Sequence, residues 1–126
     1  MSEAALKEGM WCHVEFTSGN PERARSFFNG VFGWKFTDMP QLSYMLYDTG
    51  PGGIGGGMCK AEAGQHPHVV NYILVDEIEP TLEKIERHGG KTVRPKTEVP
   101  GAGWLALFSD PDGIVHGLWK PAGRPS

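Results

Sequence analysis

Two stretches of this chain carry the same succession of elements, and that repetition limits what the chain can fold into. Residues 10–36 (MWCHVEFTSGNPERARSFFNGVFGWKF) read as an alternating strand, a turn, an amphipathic helix and a short strand led by a glycine. Residues 69–93 (VVNYILVDEIEPTLEKIERHGGKTV) repeat that order with different side chains. Each copy continues into strand-like runs separated by glycine-rich turns. A copy of about 60 residues is too small to bury a comfortable core alone. The chain of 126 residues is therefore expected to be one domain over 1–126, with module one at about 10–62 and module two at about 68–120. Two small sheets that need each other are expected to enclose a groove.

The first strand carries chemistry on one side. Strand side chains alternate with period two, so Cys12, Val14 and Phe16 should face a helix while Trp11, His13 and Glu15 share the opposite face. Asn20 is a good N-cap and Pro21 a good first helical residue, which predicts a helix over 21–32 with Ala24, Phe27, Phe28, Val31 and Phe32 as its buried stripe. Strands are expected at 34–37, 43–48 and 54–61, then 69–75, 91–93, 103–109 and 114–120. The second helix, begun near Pro80, buries Leu82, Ile85 and Ile78, and His88-Gly89-Gly90 ends it. Residues 1–9 and 121–126 are expected to fray.

Composition narrows the function classes. Hydrophobic residues at 39% and charged residues at 21% describe a globular protein, and a net charge of -3 with no basic run argues against nucleic acid as a partner. No apolar run is long enough to span a bilayer, so no membrane is expected. Two cysteines, Cys12 and Cys59, make no disulfide framework, and a cytoplasmic location is the expectation. The glycines from 50 to 57 lack the Gly-Lys-Ser/Thr ending of a phosphate loop and read instead as a hairpin turn and a strand that another backbone or a ligand approaches closely. Asp110-Pro111-Asp112-Gly113 is a tight turn without the further carboxylates of a calcium loop.

Several segments carry a family resemblance across nearly the whole chain. They are His13-Val14-Glu15, Pro21-Glu22-Arg23-Ala24-Arg25-Ser26-Phe27-Phe28, Val31-Phe32-Gly33-Trp34, Val75-Asp76-Glu77-Ile78, Gly89-Gly90-Lys91, Pro95-Lys96-Thr97, and Trp104 through the Asp110-Pro111-Asp112-Gly113 turn. In order and spacing the chain resembles the vicinal oxygen chelate superfamily of glyoxalases, bleomycin-resistance proteins and extradiol dioxygenases. That resemblance implies an α+β fold of two βαβββ modules forming a cup-shaped mixed sheet, and a homodimer. In active members the cup holds a divalent metal, with one ligand from the first and one from the last strand of each module.

Carried over position by position, the first ligand is His13, but its counterpart in module two is Val70 and the last-strand position is Gly117. The remaining place lies in Gly55-Gly56-Gly57-Met58-Cys59, which has no His, Glu, Asp or Gln. Glu15 shares the face of His13 but lies roughly 7 Å along the strand. The expectation is therefore no cofactor, with a divalent metal as the less favoured alternative. His13 and Glu15 are either a polar anchor with acid-base capacity or a satisfied pair that keeps strands in register. Trp11, Tyr72, Trp104, Phe108 and Trp119 are expected to line an apolar pocket, against the alternative that they merely fill it. Cys59 is either inert or a reactive thiol. Three readings of function follow: a metal-independent protein that binds a small apolar or aromatic molecule; a lyase, isomerase or dioxygenase using His13 and Glu15; and a structural or regulatory dimer. Whether the chain is an enzyme is left open.

Overall fold

A computed structural model describes residues 6–123, which fall into two compact units. The first comprises residues 13–70, the second residues 6–12 and 71–123. The fold is α+β, with the same βαβββ order in both halves. The first half has β1 (Trp11–Ser18), α1 (Pro21–Phe32), β2 (Lys35–Met39), a 3-10 turn (Pro40–Leu42), β3 (Tyr44–Asp48) and β4 (Gly56–Lys60). The second has β5 (Val69–Leu74), α2 (Ile78–Arg87), β6 (Lys91–Val99), β7 (Gly103–Ser109) and β8 (Val115–Pro121). In the first the strands run β2-β3-β4-β1, in the second β5-β8-β7-β6. The first and last strands of each half pair in parallel, β1 with β4 and β5 with β8, and the other neighbours are antiparallel. The repeat read in the sequence is thus a repeat of topology.

Each helix begins and ends where local chemistry dictates. The Asn20 side chain accepts the Arg23 backbone N–H at 3.1 Å, with Pro21 in the first turn. Gly33 takes a left-handed conformation (φ 74°) and returns its N–H to the Asn29 carbonyl at 2.9 Å, which ends α1. Helix α2 buries Ile78 and Leu82 against Val75, Ala106, Phe108 and Leu118, with Ile85 packed at the edge. This is the compact core of the second unit.

Helix α1 departs from expectation. It has no buried residue, and Phe27, Val31 and Phe32 of the predicted stripe are 55%, 58% and 61% exposed. Phe28 is the residue of the stripe that reaches the sheet, directly on Phe16 of β1 at 5.4 Å and through Trp34, which stacks on Phe28 at 4.8 Å and on Tyr47 of β3 at 5.0 Å. Strand β6 also differs, running on through Pro95 instead of stopping at residue 93. It lies at the sheet edge, where a missing N–H is tolerated, and register shifts flank Arg94. At the amino end the predicted fraying does not reach residues 8 and 9. Gly9 N–H donates to the Leu74 carbonyl at 2.8 Å, and the Glu8 carboxylate accepts from the Asp76 N–H at 3.2 Å. At the other end Pro121 closes β8; the remaining expectations for residues 1–5 and 124–126 lie outside the described residues.

Candidate functional site

The side of the first unit turned away from α1 gathers its polar side chains. On β1, Phe16 packs on Phe28 of α1 with ring centroids 5.4 Å apart, which places Val14 and Phe16 on the helix side and His13 and Glu15 on the other. The register sets Glu15 opposite Gly57 and Thr17 opposite Cys59 on β4. The Cys59 thiol donates to the Glu15 carboxylate at 3.8 Å. From β3, Tyr44 reaches over Gly57, and its hydroxyl lies 3.0 Å from His13 Nε2. A Cβ at Gly57 would run into the Tyr44 ring. The close approach inferred from the glycine run is made at Gly57 by a phenol side chain of the same chain, where a backbone or a ligand was expected. The imidazole and phenol rings lie nearly parallel, 10° apart, with centroids at 6.5 Å.

Burial keeps the imidazole and the thiol of this cluster uncharged beside the Glu15 carboxylate. Burial lowers the His13 pKa below its ordinary 6.5, and the nearby Glu15 charge only partly opposes this. At neutral pH the imidazole is uncharged, and its Nε2 accepts from the Tyr44 O–H in one tautomer or donates to the phenol oxygen in the other. Burial first, and then the Glu15 charge, push the Cys59 thiol up to about 11. It stays protonated near neutrality and is a poor nucleophile there, which removes the reading of Cys59 as a reactive thiol.

The donor set does not suit a divalent metal. No group of three His, Cys, Asp or Glu side chains comes together among the described residues. On β4 the positions that share the face of His13 and Glu15 are Gly57 and Cys59, and Cys59 is held as a thiol. In the second unit Tyr72 stands opposite Gly117, where a Cβ would meet the Tyr72 ring. Both last strands thus put a glycine beneath an aromatic ring.

The five aromatic residues expected to line one pocket do not share a face. Tyr72 and Leu74 of β5 pair with Gly117 and Trp119 of β8, so Tyr72 and Trp119 lie on the side away from α2. Ala106 and Leu118 pair within the α2 core, and Trp104 and Phe108 follow them on that side. Trp104 packs against this core and carries the ammonium groups of Lys96 and Lys120 over its face at 5.4 and 5.5 Å. Trp11 is 44% exposed and lies 5.9 Å from the His116 ring, which also contacts Phe108 at 5.3 Å. The correction follows from strand parity: Tyr72 and Trp119 stand at positions of opposite phase to Trp104 and Phe108 in the antiparallel register.

Sequence reasoning did not identify Tyr44 as a partner of His13. The signal was present as Gly57, whose φ is not positive, so that space and not backbone conformation requires a glycine.

Comparison with known proteins agrees with this architecture. The sequence profile of the Glyoxalase/Bleomycin resistance protein/Dioxygenase superfamily matches residues 12–116. The chain is 28% identical over 111 residues to CFP32 of Mycobacterium tuberculosis, provisionally named a glyoxylase; the match covers 86% of this chain but only 42% of that protein. A glyoxylase-like domain-containing protein of Didymella fabae is 29% identical over 88% of this chain and 93% of its own length. The anthracycline biosynthesis protein DnrV of Streptomyces peucetius is 25% identical, over 83% of this chain and 45% of that protein. Among solved structures, methylmalonyl-CoA epimerase from Mycobacterium tuberculosis superposes with a TM-score of 0.69 at 15% identity, over 97% of this chain and 93% of that one. The Mn(II)-bound glyoxalase from Novosphingobium aromaticivorans gives 0.68 at 13%, over 97% and 42%. At these identities the structural likeness concerns the fold.

Proposed function

Because the chain belongs to the Glyoxalase/Bleomycin resistance protein/Dioxygenase superfamily, we propose that it binds a small, flat, oxygen-bearing aromatic molecule without a divalent metal. One observation carries the reading: the His13 Nε2–Tyr44 hydroxyl pair at 3.0 Å, laid over Gly57 beside a protonated Cys59. An uncharged imidazole-phenol pair can exchange hydrogen bonds with a ligand hydroxyl or carbonyl, and the parallel rings offer a flat surface. It gives a metal ion one nitrogen already engaged in a hydrogen bond. The likeness to a protein named for anthracycline biosynthesis supports an aromatic ligand. Within the second unit, Tyr72 and Trp119, which share a face, are proposed as ligand contacts of that unit.

The same reading has the protein act in the cytoplasm as a homodimer. No disulfide joins Cys12 and Cys59, and the exposed Phe27, Val31 and Phe32 of α1 supply an apolar surface for a second copy. An enzymatic alternative, in which His13 and Glu15 move a proton, is supported by the lowered His13 pKa and by Glu15 beside it.

Titration with 1,4-dihydroxyanthraquinone, followed by calorimetry in the presence of a chelator, tests the proposal. Saturable binding is expected, weakened about tenfold by Tyr44→Phe through the loss of one hydrogen bond. Binding that requires one equivalent of divalent ion, or that ignores both Tyr44→Phe and His13→Ala, overturns it.

A further inference from the structure

The turn between β7 and β8 in the second unit is built around one carboxylate. Asp110 donates its backbone N–H to the Ile114 carbonyl at 2.9 Å, and its own carbonyl accepts the Gly113 N–H at 2.8 Å. Its Oδ1 accepts the Asp112 and Ile114 N–H groups at 2.9 and 3.0 Å. These four bonds close the turn without His116. The second oxygen, Oδ2, lies 2.9 Å from His116 Nε2. The bond from His116 first, and then that from the Ile114 N–H, hold the Asp110 carboxyl below its ordinary range, so it is ionised at neutral pH.

An ionised carboxylate can only accept, and this fixes the tautomer of the ring beside it. In its neutral form His116 carries its hydrogen on Nε2 and presents a lone pair on Nδ1. Nδ1 has no hydrogen-bond partner among the described residues. There is thus no serine, threonine or cysteine for it to activate, and the ring itself is the candidate nucleophile. The imidazole stands opposite Phe108 across the strand pair, 5.3 Å from that ring and 5.9 Å from the Trp11 indole. Its side chain is still 21% exposed, which lets a small solute reach it. A carboxylate on one ring nitrogen and a lone pair on the other suit nucleophilic attack, because the carboxylate meets the positive charge that develops on the ring.

We propose that His116 is a nucleophilic histidine that accepts acyl groups from small aliphatic anhydrides, with Asp110 as its positioning residue. Nδ1 attacks the carbonyl carbon. An N–C bond forms while the C–O bond to the leaving carboxylate breaks, and that carboxylate departs with the electron pair. The ring becomes an acylimidazolium whose Nε2–H faces Asp110. Water then takes the acyl group as a carboxylic acid and a proton leaves, which restores the neutral ring.

Diethyl pyrocarbonate, a non-aromatic anhydride, tests this on the whole chain, with each histidine followed separately by peptide mass mapping. His66, His68 and His88 are exposed and have no ion-pair carboxylate among the described residues, so exposure alone would make them react first. The Asp110–His116 pair reverses that order: His116 should be modified about fivefold faster than any of the three. Asp110→Asn keeps an oxygen for the two turn N–H groups but turns an amide N–H toward Nε2. The tautomer then inverts, Nδ1 loses its lone pair, and His116 should slow about tenfold while His88 is unchanged. Nitrogen NMR should find the His116 hydrogen on Nε2 in the parent and on Nδ1 in the variant, a change that a merely structural pair would not couple to reactivity. The readout is per residue, so reaction at His13 does not enter the comparison. Modification of His116 no faster than that of His66, His68 and His88, or a parent ring with its hydrogen on Nδ1, refutes the site without any variant. So does a His116 rate that Asp110→Asn leaves unchanged.

Discussion

Replacing Gly57 by alanine should be far more damaging than a methyl group usually is on a strand. The residue does not have positive φ, so alanine meets no backbone objection. Space is the obstacle: the new Cβ would meet the Cε2, Cζ and hydroxyl oxygen of Tyr44. The ring must swing away, which breaks its contact with His13 Nε2 at a cost of about 1 kcal/mol. Overpacking against neighbouring side chains adds about 1–3 kcal/mol. The sum, about 2–4 kcal/mol, corresponds to a melting point lowered by about 10 °C for a domain of this size. If this account is right, the penalty depends on Tyr44. In a Tyr44→Ala background the same substitution should cost under about 0.5 kcal/mol, giving a coupling energy near 2 kcal/mol or more. Gly56→Ala supplies the control, because its Cβ would strike the Val14 backbone carbonyl, which no side-chain truncation removes. Urea denaturation of the single and double variants measures both couplings. An additive cycle between Gly57→Ala and Tyr44→Ala, or a harmless Gly57→Ala, would show that Tyr44 does not lie over Gly57, and the proposed anchor would go with it.

Two further predictions concern titration. Because His13 has a lowered pKa in the fold, its neutral form is favoured there; the stability this confers is complete above the unfolded value near 6.5 and declines as pH falls below it. Melting measured from pH 8 to pH 5 should therefore show a downward limb that His13→Gln flattens, and an unchanged limb would count against burial of His13. Cys59 should alkylate, in a Cys12→Ala background, with a rate profile whose midpoint lies near 11, and Glu15→Gln should lower that midpoint; an ordinary midpoint near 9 in the parent would contradict the Glu15 contact.

Topology was legible because it rests on local signals that the fold leaves intact. The Asn20-Pro21 start and Gly33 stop of α1, the alternation of β1 and the Asp110 turn are each settled by residues within a few positions of one another. Asp110 accepts the backbone N–H groups of Asp112 and Ile114 at 2.9 and 3.0 Å, and its other oxygen pairs with His116 Nε2 at 2.9 Å. What was not legible depends on side chains distant in sequence. The stripe of α1 has helical spacing, but spacing cannot show that Trp34 would stack between Phe28 and Tyr47, nor that Phe27, Val31 and Phe32 would stay exposed. Tyr44 and His13 are 31 positions apart and are joined through a strand order that no single segment declares.

Strand parity explains why the aromatic set was misread, while the glycines signalled a close approach without naming what makes it. Period-two alternation says which residues of one strand agree with each other, but the phase between strands comes from pairing. Within β7, Trp104, Ala106 and Phe108 were correctly grouped; only the pairing of Ala106 with Leu118 assigns that group to the α2 side. A glycine in a strand needs no such phase, since it reports that something occupies the place of its side chain. At Gly57 and at Gly117 that occupant is a tyrosine ring, from β3 in one half and from β5 in the other. The two halves thus reach similar packing on their last strands by different routes. Only the first half adds an imidazole to the arrangement, because β5 has Val70, Tyr72 and Leu74 as its alternating buried residues. Ligand recognition on these faces is accordingly expected to be unequal, with polar anchoring at His13 and Tyr44 and largely apolar contact at Tyr72 and Trp119.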